Sequence, residues 1–104
     1  MIEIINNDKS ILENKDYYIL FYFTASWCGP CRKIKPLLEK LSDGLDKSKV
    51  VFAQVDIDIN DELSDEFNIQ SVPSFLLFYK EKLIDQCSGA NILNVHKLLK
   101  KNMK

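Results

Sequence analysis

The chain has 104 residues, 46% hydrophobic and 28% charged, with a formal net charge of −1. That length and balance fit one ordinary globular domain over residues 1–104, able to bury a core without staples. The near-neutral charge gives no electrostatic basis for binding nucleic acid or an anionic membrane surface, and three cysteines are too few for a disulfide-dense secreted scaffold.

Residues 1–8 lack a basic stretch followed by a long apolar run, so residues 2–5 are predicted to form a first strand rather than part of a secretory leader. Asn7 or Asp8 is expected to cap a brief helix carrying Ile11 and Leu12. Residues 17–23 are an unbroken run of aromatic, leucine and isoleucine side chains, far shorter than the ~20 residues a membrane span needs. They read as a strand buried on both faces, as in a parallel sheet. Beyond the cysteines, Ile34, Leu37, Leu38, Leu41 and Leu45 recur at helical spacing, with Pro36 expected to kink that helix. Residues 50–55 form a second buried strand, and Asp61 is expected to cap a helix through Leu63 and Phe67. Residues 74–79 and 83–88 flank the polar break Lys80, Glu81 and Lys82 and should pair as a hairpin. Gly89, Ala90 and Asn91 lead into a last amphipathic helix with Ile92, Val95, Leu98, Leu99 and Met103 on its apolar side. Lys97, Lys100, Lys101 and Lys104 form a solvated face whose cations suit the helix C-terminus. Strands alternating with helices, then a hairpin, predict an α/β domain with a mixed sheet covered on both faces.

The chemistry concentrates in Trp27, Cys28, Gly29, Pro30 and Cys31, between the buried strand and the helix. A sulfur at a helix start faces unsatisfied N–H groups and the positive end of the helix dipole. Both favour thiolate, so Cys28 is expected to ionise below the reference value of about 8.5. Cys31 lies one turn along, on the same side and more buried, placed to attack a mixed disulfide formed at Cys28. Gly29 allows close approach of a substrate, and Pro30 fits a first helical turn. A reducing, cytoplasmic location is expected, where such a pair is catalytic or metal-binding rather than structural. Zinc requires about four ligands, and beyond this pair the chain has only Cys87 and one histidine, His96, on a polar helix side. No metal is therefore expected, and Cys87 reads as a small apolar filler in a strand, with a regulatory or dimer-forming thiol as the alternative.

With that segment the sequence resembles the thioredoxin family over nearly its whole length. Trp27 to Cys31 matches the family's active-site motif, and Pro36, Val72, Pro73, Gly89 and Ala90 fall at the family's spacing. The resemblance implies a central mixed sheet of about five strands flanked by about four helices. It implies a cis Pro73 beside the cysteines, with the backbone at Val72 pairing with an extended substrate peptide. Trp27, Gly29, Pro30, Val72, Pro73, Gly89 and Ala90 would shape the substrate groove. The implied activity is reduction of disulfides in protein substrates through a redox-active Cys28–Cys31 disulfide, by a monomer without bound cofactor. Electrons would come from an NADPH-dependent flavoprotein reductase or another dithiol donor. A disulfide oxidase or isomerase, or a non-catalytic scaffold with the same fold, are the alternative readings; a potential above about −200 mV would favour the first.

Two departures from the family stand out. Many members carry a buried Asp paired with a Lys where this chain has Tyr22 and Gln54. Acid and partner are both replaced, as burial demands, since one charge left alone would cost several kcal/mol. Tyr22, with a reference pKa near 10, cannot act as the base for Cys31 at neutral pH, although it can hydrogen-bond a water or a sulfur. A slower resolving step and a lower Cys28 pKa are the expectations. The residues around Tyr22 also resemble the tryparedoxin and nucleoredoxin branch. Second, the hairpin lacks the family's usual glycine, so an altered or strained turn is expected across Lys80, Glu81 and Lys82.

Overall fold

In the computed structural model, which describes residues 1–103, the strands form a single five-stranded sheet. They are β1 (Ile2–Ile4), β2 (Tyr18–Thr24), β3 (Val50–Asp56), β4 (Ser74–Tyr79) and β5 (Lys82–Ser88), in the order β1-β3-β2-β4-β5. β3 runs parallel to β1 and β2, whereas β4 runs antiparallel to β2 and β5. The three helices are α1 (Gly29–Gly44), α2 (Asp61–Glu66) and α3 (Ile92–Asn102). The expected thioredoxin-type mixed sheet is present.

β2 explains why the sheet needs cover on both faces. Its alternate residues Leu20 and Tyr22 join a core with Ile34 and Leu38 of α1 and Val95, Leu98 and Leu99 of α3. Ile19, Phe21 and Phe23 point the other way, toward Leu12 and Leu63. All five of these β2 residues are at most 1% exposed, which accounts for a strand without polar alternation.

Four local expectations are corrected. The described residues form three α-helices rather than about four, because residues Ser10–Glu13 form only a 3-10 turn. That segment lies between left-handed Asn6 and Asn7 (φ 55° each) and an extended Asn14, too short for a regular helix. Neither Asn7 nor Asp8 caps it by the usual pattern: Asp8 Oδ1 accepts the Ser10 N–H at 2.9 Å, and Asn7 serves another helix. Asn7 Oδ1 accepts the Leu63 N–H at 3.1 Å, so Asn7 caps α2 from across the chain while Asp61 is already helical. Fully buried Asn60 secures this joint. Its amide donates to the carbonyls of Ile4 (2.9 Å) and Asp56 (3.1 Å), and its oxygen accepts the Asn7 N–H at 2.9 Å.

The hairpin break is two residues, not three, since Lys82 belongs to β5. Lys80 (φ 52°) and Glu81 (φ 70°) both occupy the left-handed region, which makes the strained turn that the missing glycine suggested. Each such non-glycine residue costs roughly 1–2 kcal/mol. Pro36 sits within α1, and Met103 follows the end of α3; Lys104 lies outside the described residues.

Candidate active site

Beyond β2 the chain turns tightly: the Ala25 carbonyl accepts the Cys28 N–H at 3.1 Å. This delivers Cys28 in extended conformation to the N-cap of α1. Its sulfur takes the place that a serine or aspartate oxygen fills at other caps, accepting the Cys31 N–H at 3.2 Å. Pro30 occupies the first turn, where its missing donor is not needed. Cys28 and Cys31 are joined as a disulfide with Cα atoms 5.3 Å apart, and both are buried, Cys31 slightly more than Cys28.

The Val72–Pro73 peptide is cis, and the Val72 carbonyl oxygen lies 3.7 Å from Cys28 Sγ. The Pro73 carbonyl accepts the Gly89 N–H at 2.9 Å, which brings the end of β5 to the same place. Gly89 has φ 94°, a conformation that side chains resist, and exposed Ala90 follows it. At Gly29 an added Cβ would meet only Arg32 Nη2, at 3.9 Å, so the surface above the cysteines is open. Trp27 is 64% exposed beside them, with Nε1 donating to Asp58 Oδ2 at 3.1 Å. Segments distant in sequence thus meet around one sulfur, each presenting backbone or flat apolar surface.

Tyr22 and Gln54 are register partners on β2 and β3, beneath α1. The Tyr22 hydroxyl donates to the Cys31 carbonyl at 2.9 Å, rather than to a sulfur, and burial pushes its ionisation upward. Gln54 Nε2 donates to Glu3 Oε1 at 3.3 Å. Sequence reasoning passed over Asp58 and Asn60, whose partners Trp27, Ile4 and Asn7 lie on other segments, and Asp56, which the strand register sets on the Tyr22 side of the sheet; only the run of acids from the end of β3 hinted at them. Cys87 is half-buried on β5 opposite Phe75; burial and the nearby Asp85 push its thiol upward, away from reactivity. His96 is exposed on α3, and the described residues contain no group of three or more potential metal ligands. No helix among them is long and apolar enough to cross a membrane.

The thioredoxin family model matches residues 3–103. The chain belongs to the thioredoxin family. Thioredoxin of Coprinus comatus is 35% identical over 105 residues, covering 99% of each protein. Thioredoxin of Ictalurus punctatus is 41% identical over 91 residues, covering 86% of this chain and 85% of that one. Among solved structures, Schistosoma mansoni thioredoxin superposes with a TM-score of 0.90 at 32% identity, covering 98% of this chain and 94% of the other. Fasciola hepatica thioredoxin gives 0.88 at 34% identity, covering 97% and 98%. As a thioredoxin-family protein with the Cys28–Cys31 disulfide, the chain is a thiol–disulfide oxidoreductase that reduces protein disulfides.

Proposed function

We propose that Cys28 is the attacking thiolate and Cys31 the resolving thiol, in a single-domain, monomeric cytoplasmic reductase. The Cys28 thiolate attacks one sulfur of a substrate disulfide, forming a mixed disulfide and expelling the other substrate sulfur as thiolate. Cys31 then loses its proton and attacks Cys28 Sγ. The second substrate sulfur leaves, two electrons have passed to the substrate, and Cys28–Cys31 is oxidised. The observation that carries this reading is the Cys28 sulfur at the α1 N-cap, holding the Cys31 N–H at 3.2 Å within bonding reach of its partner.

Trp27, Gly29, Pro30, Val72, Pro73, Gly89 and Ala90 form the substrate groove, with an extended peptide pairing to the Val72 backbone. No bound cofactor enters the cycle. An NADPH-dependent flavoprotein reductase or another dithiol donor returns two electrons and two protons, completing electron transport to the substrate. Tyr22 and Gln54 tune the pair: without a buried carboxylate, thiolate at Cys28 is favoured while deprotonation of Cys31 is slowed. Thiolate absorbance should therefore titrate at higher pH in Tyr22→Asp than in wild type, and identical titrations would count against the tuning role.

Insulin-disulfide reduction driven by dithiothreitol tests the roles. Cys28→Ser should reduce turnover to the uncatalysed background, and Cys31→Ser should trap a substrate-linked mixed disulfide. Activity that survives Cys28→Ser overturns the assignment.

A further inference from the structure

Cys31 must shed a proton before it closes on Cys28, and Tyr22 is not built to take it. Its hydroxyl is already committed as a donor to the Cys31 carbonyl. The back of Cys31 instead opens on a cleft of 290 Å³ between α1 and the β2–β3 ladder, lined by Tyr22, Thr24, Cys31, Lys35, Gln54 and Asp56. A liquid water occupies about 30 Å³, so this cleft, with the polar ends of Thr24, Gln54 and Asp56 on its wall, has room for several. Among the described residues, Asp56 contributes the only carboxylate on its wall.

We infer that Asp56 accepts the Cys31 proton through water in this cleft during the resolving step. The inference rests on the roles assigned above to Cys28 and Cys31. Its geometric basis is the period of two along the strands. Asp56 pairs with Thr24 one step beyond the Tyr22–Gln54 pair, so it faces the same side as Tyr22. Its backbone is pinned, because buried Asn60 donates to its carbonyl at 3.1 Å. Its Oδ1 accepts the Asp58 N–H at 2.9 Å, which fixes the carboxylate at the cleft wall.

The surrounding charges suit the transfer. From α1, Lys35 and Arg32 face the cleft; Arg32 is tied to the Ser26 carbonyl at 2.7 Å. From β1, Glu3 engages the Gln54 amide, and Asp58 engages the Trp27 indole. In the step itself a water gives a proton to Asp56 and takes the Cys31 proton. The Cys31–Cys28 bond forms, the Cys28–substrate bond breaks, and the departing sulfur keeps the electron pair. Asp56 then returns its proton to solvent.

Stopped-flow single turnover with an aryl disulfide separates the two chemical steps, since the released aryl thiolate absorbs visible light. The first thiolate reports attack by Cys28 and the second reports closure by Cys31. Asp56→Asn should leave the first phase unchanged and slow the second at least ~10-fold, below the usual ~10²–10⁴ for general-base catalysis because solvent competes. Asp56→Glu should keep closure fast, and Tyr22→Asp should restore fast closure in the Asp56→Asn background. A second phase in Asp56→Asn within about twofold of wild type, or one that the added Tyr22→Asp does not speed, overturns the inference. A first phase that survives Cys28→Ser overturns the role assignment on which it rests.

Discussion

Phe21 and Phe23 point to one face of the sheet and Tyr22, between them, to the other, and the two faces differ in kind. Toward α2 the contacts are rings packed edge to face: Phe21 on Phe78 at 5.1 Å and Phe67 on Phe78 at 5.3 Å. Toward α1 and α3, Tyr22 stacks on Phe75 at 5.5 Å and sends its hydroxyl to the Cys31 carbonyl. Both cysteines belong to that second core. One strand therefore separates stability from chemistry through its period of two. The first face can lose packing without touching a reacting atom, whereas any change on the second is felt behind the sulfurs.

The largest test of this division is Phe21→Ala, which should cost ~3–5 kcal/mol by urea denaturation while leaving disulfide reduction per folded molecule unchanged. A lowered rate in the folded fraction would break the division. Next comes the hairpin, which lies off both cores. Lys80→Asn combined with Glu81→Gly should stabilise by about 1–2 kcal/mol, because asparagine and glycine accept the left-handed backbone. The denaturation midpoint should rise at constant slope, with reduction unaltered. A fall in stability would mean that the Lys15–Glu81 ion pair, 3.3 Å apart, outweighs the backbone strain.

On the chemical face, Tyr22→Phe removes one buried hydrogen bond and should cost ~1 kcal/mol. It sharpens the comparison because the ring stays: a loss as large as that of Phe21→Ala would mean that the hydroxyl, not packing, holds this face together. The smallest effect is expected at Asp85. The Asn102 amide, the Gln86 N–H and Lys101 hold its carboxyl below the ordinary value of 3.8. A depressed folded value means a contribution that is present above the unfolded value and lost as pH falls through the folded one. Asp85→Asn should flatten the acid limb of stability there and nowhere else, as followed by urea midpoints against pH. An unchanged acid limb would remove Asp85 from the account.

What could be read along the chain was what neighbours in sequence decide. The run at residues 17–23 had to be buried on both sides because it offers no polar face, and β2 is that strand. Cys28, Pro30 and Cys31 define a helix start within a few residues, so the N-cap geometry was legible before any coordinates. The missing glycine at the hairpin likewise announced an altered or strained turn, although not that Lys80 and Glu81 would be the two left-handed residues.

The remaining features depend on groups that only folding brings together. Asn7 caps α2 rather than the turn that follows it, because buried Asn60 draws it across to the Leu63 N–H. Local propensity cannot register a partner more than fifty residues away. The Tyr22 hydroxyl finds the Cys31 carbonyl, and Asp56 joins the cleft behind that cysteine, only once β3 has paired beside β2 under α1. Covalent order set the thiols side by side, since two residues and a helical turn suffice. Parallel pairing of distant strands decided what stands behind them, because side chains meet there by register and not by spacing.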